Sequence, residues 1–105
     1  MTIPSGRELE GSPEHVVAGD IETKSIIYPD TVTTTNSFMR AYRGSTDVSD
    51  TVLSGSITAS GNVLTLKQIS GEIGGSTYVY VFRATCLGKA LVFFFRRIVE
   101  KESLR

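Results

Sequence analysis

The stretch Thr77–Val99, "TYVYVFRATCLGKALVFFFRRIV", decides the fold class. Side chains along a β-strand point alternately to opposite faces. In its first half Tyr78, Tyr80, Phe82, Ala84 and Cys86 share one face, and Val79, Val81, Arg83 and Thr85 share the other. Gly88-Lys89 is a turn signal between two strand-like runs, so Thr77–Leu87 and Ala90–Val99 form an antiparallel hairpin. The second half raises a difficulty. Ala90, Val92, Phe94, Arg96 and Ile98 lie on one face, and Leu91, Phe93, Phe95, Arg97 and Val99 on the other. A strand with one buried face alternates apolar and polar residues. This one is apolar on both sides until its two arginines.

Upstream, strand signals recur at short intervals. "HVVAG" begins the series at His15, and "DIETKSIIYP" reads as an edge strand with charges on its open face. Pro29-Asp30 turns the chain into "TVTTTNSFMRAYRG", rich in threonine and aromatic residues as strands are. Short strands are expected at Thr51–Leu53 and Ser56–Ala59, then "VLTLKQI" after the tight turn at Ser60–Asn62. No window has the periodicity of a long amphipathic helix. The pattern is that of an all-β sandwich or barrel with about seven strands.

The chain has 105 residues, the size of one domain. Residues 1–14, with two prolines and several charges, read as a flexible arm; residues 15–100 form the sandwich, and 101–105 a solvated tail. Eleven basic and eleven acidic side chains cancel, so no global field holds nucleic acid or an anionic membrane. Arg96 and Arg97 are adjacent strand residues and diverge, which makes them a poor phosphate clamp. A single cysteine, Cys86, precludes an internal disulfide. The polar N-terminus lacks a signal peptide's apolar run, and no stretch spans a bilayer. The expectation is synthesis in a cytoplasm, with no membrane partner.

Residues 60–99 carry a resemblance. The series Ile73, Gly74-Gly75, Tyr78, Tyr80, Phe82, Ala84 is similar to the closing strands of immunoglobulin-like and fibronectin-like β-sandwiches. It implies a tyrosine corner, in which the tyrosine hydroxyl returns to the backbone and fixes the loop between sheets. A narrower resemblance is to small immunoglobulin-like proteins among bacteriophage structural genes. It rests on Gly19-Asp20, Gly74-Gly75, Tyr78 and Thr85-Cys86-Leu87-Gly88-Lys89. It implies an antiparallel immunoglobulin-like sandwich serving as a virion or tail-associated part, and carries no catalytic residue.

No set of residues assembles a reaction centre. His15 has no second histidine or cysteine at ligand spacing, so metal binding has little support. Cys86 falls on the core face with no base in sequence to activate it. Asp47 and Asp50 in "DVSD" read as turn caps rather than a calcium loop. "GEIGG" lacks the Lys-Ser/Thr and helix of a phosphate loop. No catalytic, cofactor or metal residue is therefore assigned. Two function classes remain. One is a structural or assembly module, a homo-oligomer or part of a larger assembly. The other is a binding module that recognises a carbohydrate or protein through loops or exposed aromatics, with Tyr28, Tyr42 and Tyr80 as a sugar platform if exposed and coplanar. For the assembly module, Val92 and Phe94 are expected to pack inward. Leu91, Phe93 and Phe95 meet a partner with Arg97 at the rim, and Val79 and Val81 extend the patch. Burial under the chain's own first strand or arm is the competing cover.

Overall fold

The computed structural model describes residues 7–8, as backbone, and 13–101. The elements in chain order are β1 (Arg7–Glu8), β2 (Glu14–Val17), β3 (Ser25–Ile27), β4 (Val32–Arg43), β5 (Thr46–Asp47), α1 (Ser49–Val52), β6 (Leu53–Ser54), β7 (Thr58–Ser60), β8 (Val63–Thr65), β9 (Gln68–Ile69), β10 (Ser76–Cys86) and β11 (Lys89–Glu100). The larger sheet runs β11-β10-β4-β5, with β1 and β2 both parallel to β11 on its outer edge. The smaller sheet is β3-β8-β7, and β6 pairs with β9 beside it. Three long strands, closed by a hairpin and faced by a sheet drawn from the middle of the chain, make the Greek-key order of an immunoglobulin-like sandwich.

Between the sheets lie Met39, Ala41, Tyr80, Phe82, Phe95 and Val99 from the larger sheet and Leu64, Leu66 and Ile69 from the segment of β8 and β9. Tyr80 stacks on Phe95 with ring centroids 5.2 Å apart, and Phe82 lies 5.9 Å from Phe93. The expected core face of β10 is therefore the observed one. The expected tyrosine corner is present as well: the Ile73 backbone N–H donates to the Tyr78 hydroxyl over 2.9 Å.

The hairpin turns one residue earlier than the glycine signal suggests. Cys86 pairs with Lys89, and Leu87 and Gly88 occupy the loop with φ of 53° and 76°. Positive φ at both central residues is the type I′ geometry that matches strand twist. At Thr51–Leu53 the expected strand is largely a single helical turn, Ser49–Val52. The Asp47 carboxylate accepts from both the Ser49 backbone N–H and its hydroxyl, and that Oγ accepts from the Ala41 N–H, which pins the turn against β4.

Much of the arm read over residues 1–14 lies outside the described residues, as does the tail over 102–105. Arg7–Glu8 and Glu14, counted in that arm, are strand residues paired with Phe93–Phe94 and Arg97. The open edge of β11 supplies the backbone partners that an isolated arm would lack.

Candidate interaction face

The expected inward and outward faces of β11 are exchanged. Phe95 and Arg97 are buried, and Leu91 and Phe93 pack against the core, so these four residues belong to the domain's own interior. The reason is parity. Antiparallel neighbours across a two-residue turn have numbers summing to an odd value. Even-numbered core residues on β10 therefore require odd-numbered core residues on β11. Tyr80 faces Phe95 and Phe82 faces Phe93 across the ladder.

The face turned away from the core is made by the other set. Its cross-strand rows are Phe38–Arg83–Val92, Arg40–Val81–Phe94 and Tyr42–Val79–Arg96, followed by Thr77–Ile98–His15. Val79 and Val81 hold the centre as expected, but with Val92 and Phe94 as neighbours. Val81 is 0% exposed although no sheet covers it, because long side chains flank it on both sides. Phe38, Val79, Val92, Phe94 and Ile98 remain half-buried. The Phe38 ring carries two guanidinium groups, Arg83 at 4.8 Å and Arg40 at 5.6 Å from its centroid, and these cation–π contacts hold the arginine stems flat along the sheet.

Arg97 does not rim a patch. It is 0% exposed and anchors a charged cluster at the edge of the sandwich. Its Nε and Nη2 donate to the two carboxylate oxygens of Glu72 over 2.9 and 3.0 Å, a bidentate pair, and Nη1 donates to Glu14 over 2.9 Å and to Glu22. Lys24 bridges Glu14 and Glu22 and lies 5.3 Å from the Phe95 ring centroid. The buried Tyr80 hydroxyl donates to Glu72. Burial works against the Arg97 charge, yet Glu72 and Glu22 outweigh it and hold the guanidinium above its ordinary pKa. Burial likewise opposes ionisation of Glu22, but Arg97 and Lys24 prevail and keep its carboxyl below the usual value. Burial first, then the Glu72 carboxylate, pushes the Tyr80 phenol far up. This cluster ties β2, the segment before β3, the loop before β10, and the last two strands. It is a structural pin, since each of its three carboxylates is paired with Arg97 and two of them with Lys24 as well.

The remaining candidates are also placed. His15 is exposed, with Nδ1 3.3 Å from Glu100 Oε2. Asp47 lies two residues before Ser49 and accepts from it at the start of α1, and those hydrogen bonds lower its pKa. Cys86 is buried with its Sγ 3.8 Å from the Asp30 carbonyl. Gly74 in "GEIGG" lets the chain pass Lys101: a Cβ there would sit 2.8 Å from the Lys101 Cα. Tyr28, Tyr42 and Tyr80 are all buried, so they form no exposed sugar platform. The Tyr28 hydroxyl has no hydrogen-bond partner, and burial, with Cys86 beside it, pushes it up to about 12. Among the described residues no group of three or more His, Cys, Asp or Glu side chains is placed to hold a metal, and no helix is long and apolar enough to cross a membrane.

No family model matches the chain, and no curated protein matches it significantly. Among solved structures it is similar to a chain in the crystal structure of a titin M10–obscurin-like 1 Ig complex, at 15% identity over 93% of this chain and 90% of that one, with a TM-score of 0.48.

Proposed function

We propose that the chain is a non-enzymatic assembly module that self-associates through the outer face of β4, β10 and β11. The observation that carries this reading is the patch of half-buried Phe38, Val79, Val92, Phe94 and Ile98, interleaved with Arg40, Arg83 and Arg96, around a fully buried Val81. Apolar patches set among polar side chains mark partner sites. Three strands spaced by about 4.8 Å, over eight residues rising about 3.3 Å each, give a face of roughly 14 by 26 Å. That is about half of one partner's share in a standard interface, so the association is weak, in the micromolar range. A face of mixed arginine and aromatic residues suits a protein partner, since both types are enriched at interfaces. The finer reading, a virion or tail-associated part, is supported by the turn motifs at Gly19-Asp20 and Thr85–Lys89.

Phe94→Glu tests this. The wild type should dimerise or assemble at about 10–100 μM in sedimentation equilibrium, with the variant monomeric and unchanged in circular dichroism. A wild type monomeric at about 1 mM would refute self-association through this face.

A further inference from the structure

A second feature lies beside this face and does not depend on it. Against β10, the ladder of β4 slips between Arg83 and Thr85, which is a β-bulge. Asn36 sits at its apex with φ of 54°, and the bulge is fastened from β10: Arg83 Nε donates to the Asn36 carbonyl over 2.8 Å, and the Thr85 hydroxyl donates to the Thr35 carbonyl over 2.9 Å. Bulges re-aim side chains and cluster near binding sites. Here the bulged segment and the loop before β7 bound a cleft of about 280 Å³.

Thr34 and Ser37 line it from the bulge, Ser56 and Ile57 from the facing loop, Phe38 from one end, and Lys67 from the segment between β8 and β9. Lys67 is half-buried and pairs with no carboxylate among the described residues. Nor do the hydroxyls of Thr34, Ser37 and Ser56 hydrogen-bond to other described residues. Lys24, by contrast, holds two glutamates, and Ser49 serves as both donor and acceptor. Arg83 and Arg40 lie against the Phe38 ring but outside the cleft lining, so Lys67 is the cation that lines the cleft.

We infer that this cleft binds an acidic monosaccharide unit, a hexuronate. The Lys67 ammonium takes the carboxylate, the three hydroxyls take the ring hydroxyls, and Phe38 and Ile57 face the sugar's C–H surface. The volume lies just below the range for drug-sized ligands, which fits one sugar ring and no more. An ammonium and hydroxyls give orientation and charge preference rather than tight binding, so affinity is millimolar for the free unit.

The test is a titration of the isotope-labelled protein with glucuronate, glucose and acetate, followed by amide chemical shifts. Glucuronate should shift Thr34, Ser37, Ser56 and Lys67 saturably with a Kd of about 1–10 mM, with glucose and acetate each at least ~10-fold weaker. Lys67→Met should reduce glucuronate binding to the level of glucose. Ser56→Val, at an exposed loop position, should weaken both sugars and leave the spectrum folded. Acetate binding as well as glucuronate would overturn the sugar assignment. Absent or non-saturable shifts, or unchanged glucuronate affinity in Lys67→Met, would overturn the site. Failure here leaves self-association standing, and a monomeric wild type leaves the cleft standing.

Discussion

Replacing Arg97 by methionine should destabilise the domain more than its position near the chain end suggests. Methionine keeps much of the stem's volume but removes every donor from the cluster. Glu14 and Glu22 retain Lys24, whereas Glu72, with a side chain only 1% exposed, keeps only the Tyr80 hydroxyl. An uncompensated buried carboxylate after loss of its partner costs about 3–5 kcal/mol. For a domain of this size that lowers the Tm by about 12 °C or more. Urea unfolding at pH 7 measures it directly. Glu72→Gln in the same chain removes the stranded charge while the Tyr80 hydroxyl keeps an acceptor, so the double variant should regain about 1–3 kcal/mol relative to Arg97→Met.

The pH dependence supplies a second constraint. The folded-state pKa of Glu22 is depressed, so its contribution is fully present above the ordinary value of 4.5 and is lost as pH falls through the depressed one. Arg97 stays charged throughout that window. The gap between wild type and Arg97→Met should therefore narrow as pH falls below about 4.5, because a protonated Glu22 no longer needs the guanidinium. A loss under about 1 kcal/mol at pH 7, or a gap constant from neutral to strongly acidic pH, would refute the view of Arg97 as the cluster's anchor.

Two further outcomes follow from local geometry. Tyr78→Phe strips the Ile73 N–H of its acceptor in a loop that water reaches, so stability should fall by about 1 kcal/mol and amide exchange at Ile73 should accelerate; unchanged exchange would mean the corner does not hold this loop. Leu87 is 71% exposed with φ of 53°, a backbone position that asparagine adopts at less cost. Leu87→Asn should therefore raise stability by about 0.5–1 kcal/mol in thermal melts, and a lower Tm would mean the leucine makes contacts that outweigh its strain.

The parts of the fold legible in the sequence were those governed by near neighbours along the chain. Strand alternation in Ser76–Cys86 identified the core face, and the resemblance of the Ile73–Ala84 series to immunoglobulin-like closing strands implied the tyrosine corner. The turn between β10 and β11 was readable to within one residue. Glycine at Gly88 marks the second position of the type I′ loop, and the residue before it, Leu87, gives no turn signal of its own. The helical turn at Ser49–Val52 escaped because a single turn has no periodicity, and its stabilising contact comes from Ala41 in another strand.

Arg96 and Arg97 show where reading along the chain stops and pairing across it takes over. Both are arginines on the same strand, one exposed and one wholly buried. Composition cannot separate them, but parity can: once Tyr80 and Phe82 are assigned to the core and the turn holds two residues, Phe93, Phe95 and Arg97 must point inward with them. The same parity turns Phe94 and Val92 away from the core. What no local rule supplies is the set of acids that receives Arg97, since Glu14, Glu22 and Glu72 come from three segments brought together only by the closed sandwich. The apolar excess of β11 then has two separate causes. The odd-numbered residues are apolar because they fill the core. The even-numbered Val92, Phe94 and Ile98 lie on the outer face, where Phe94 helps cover Val81 and the patch reaches Phe38 on β4. Each row across these three strands sets apolar residues beside one arginine, Arg83, Arg40 or Arg96, and this mixed apolar and cationic face is the one on which the proposed self-association rests.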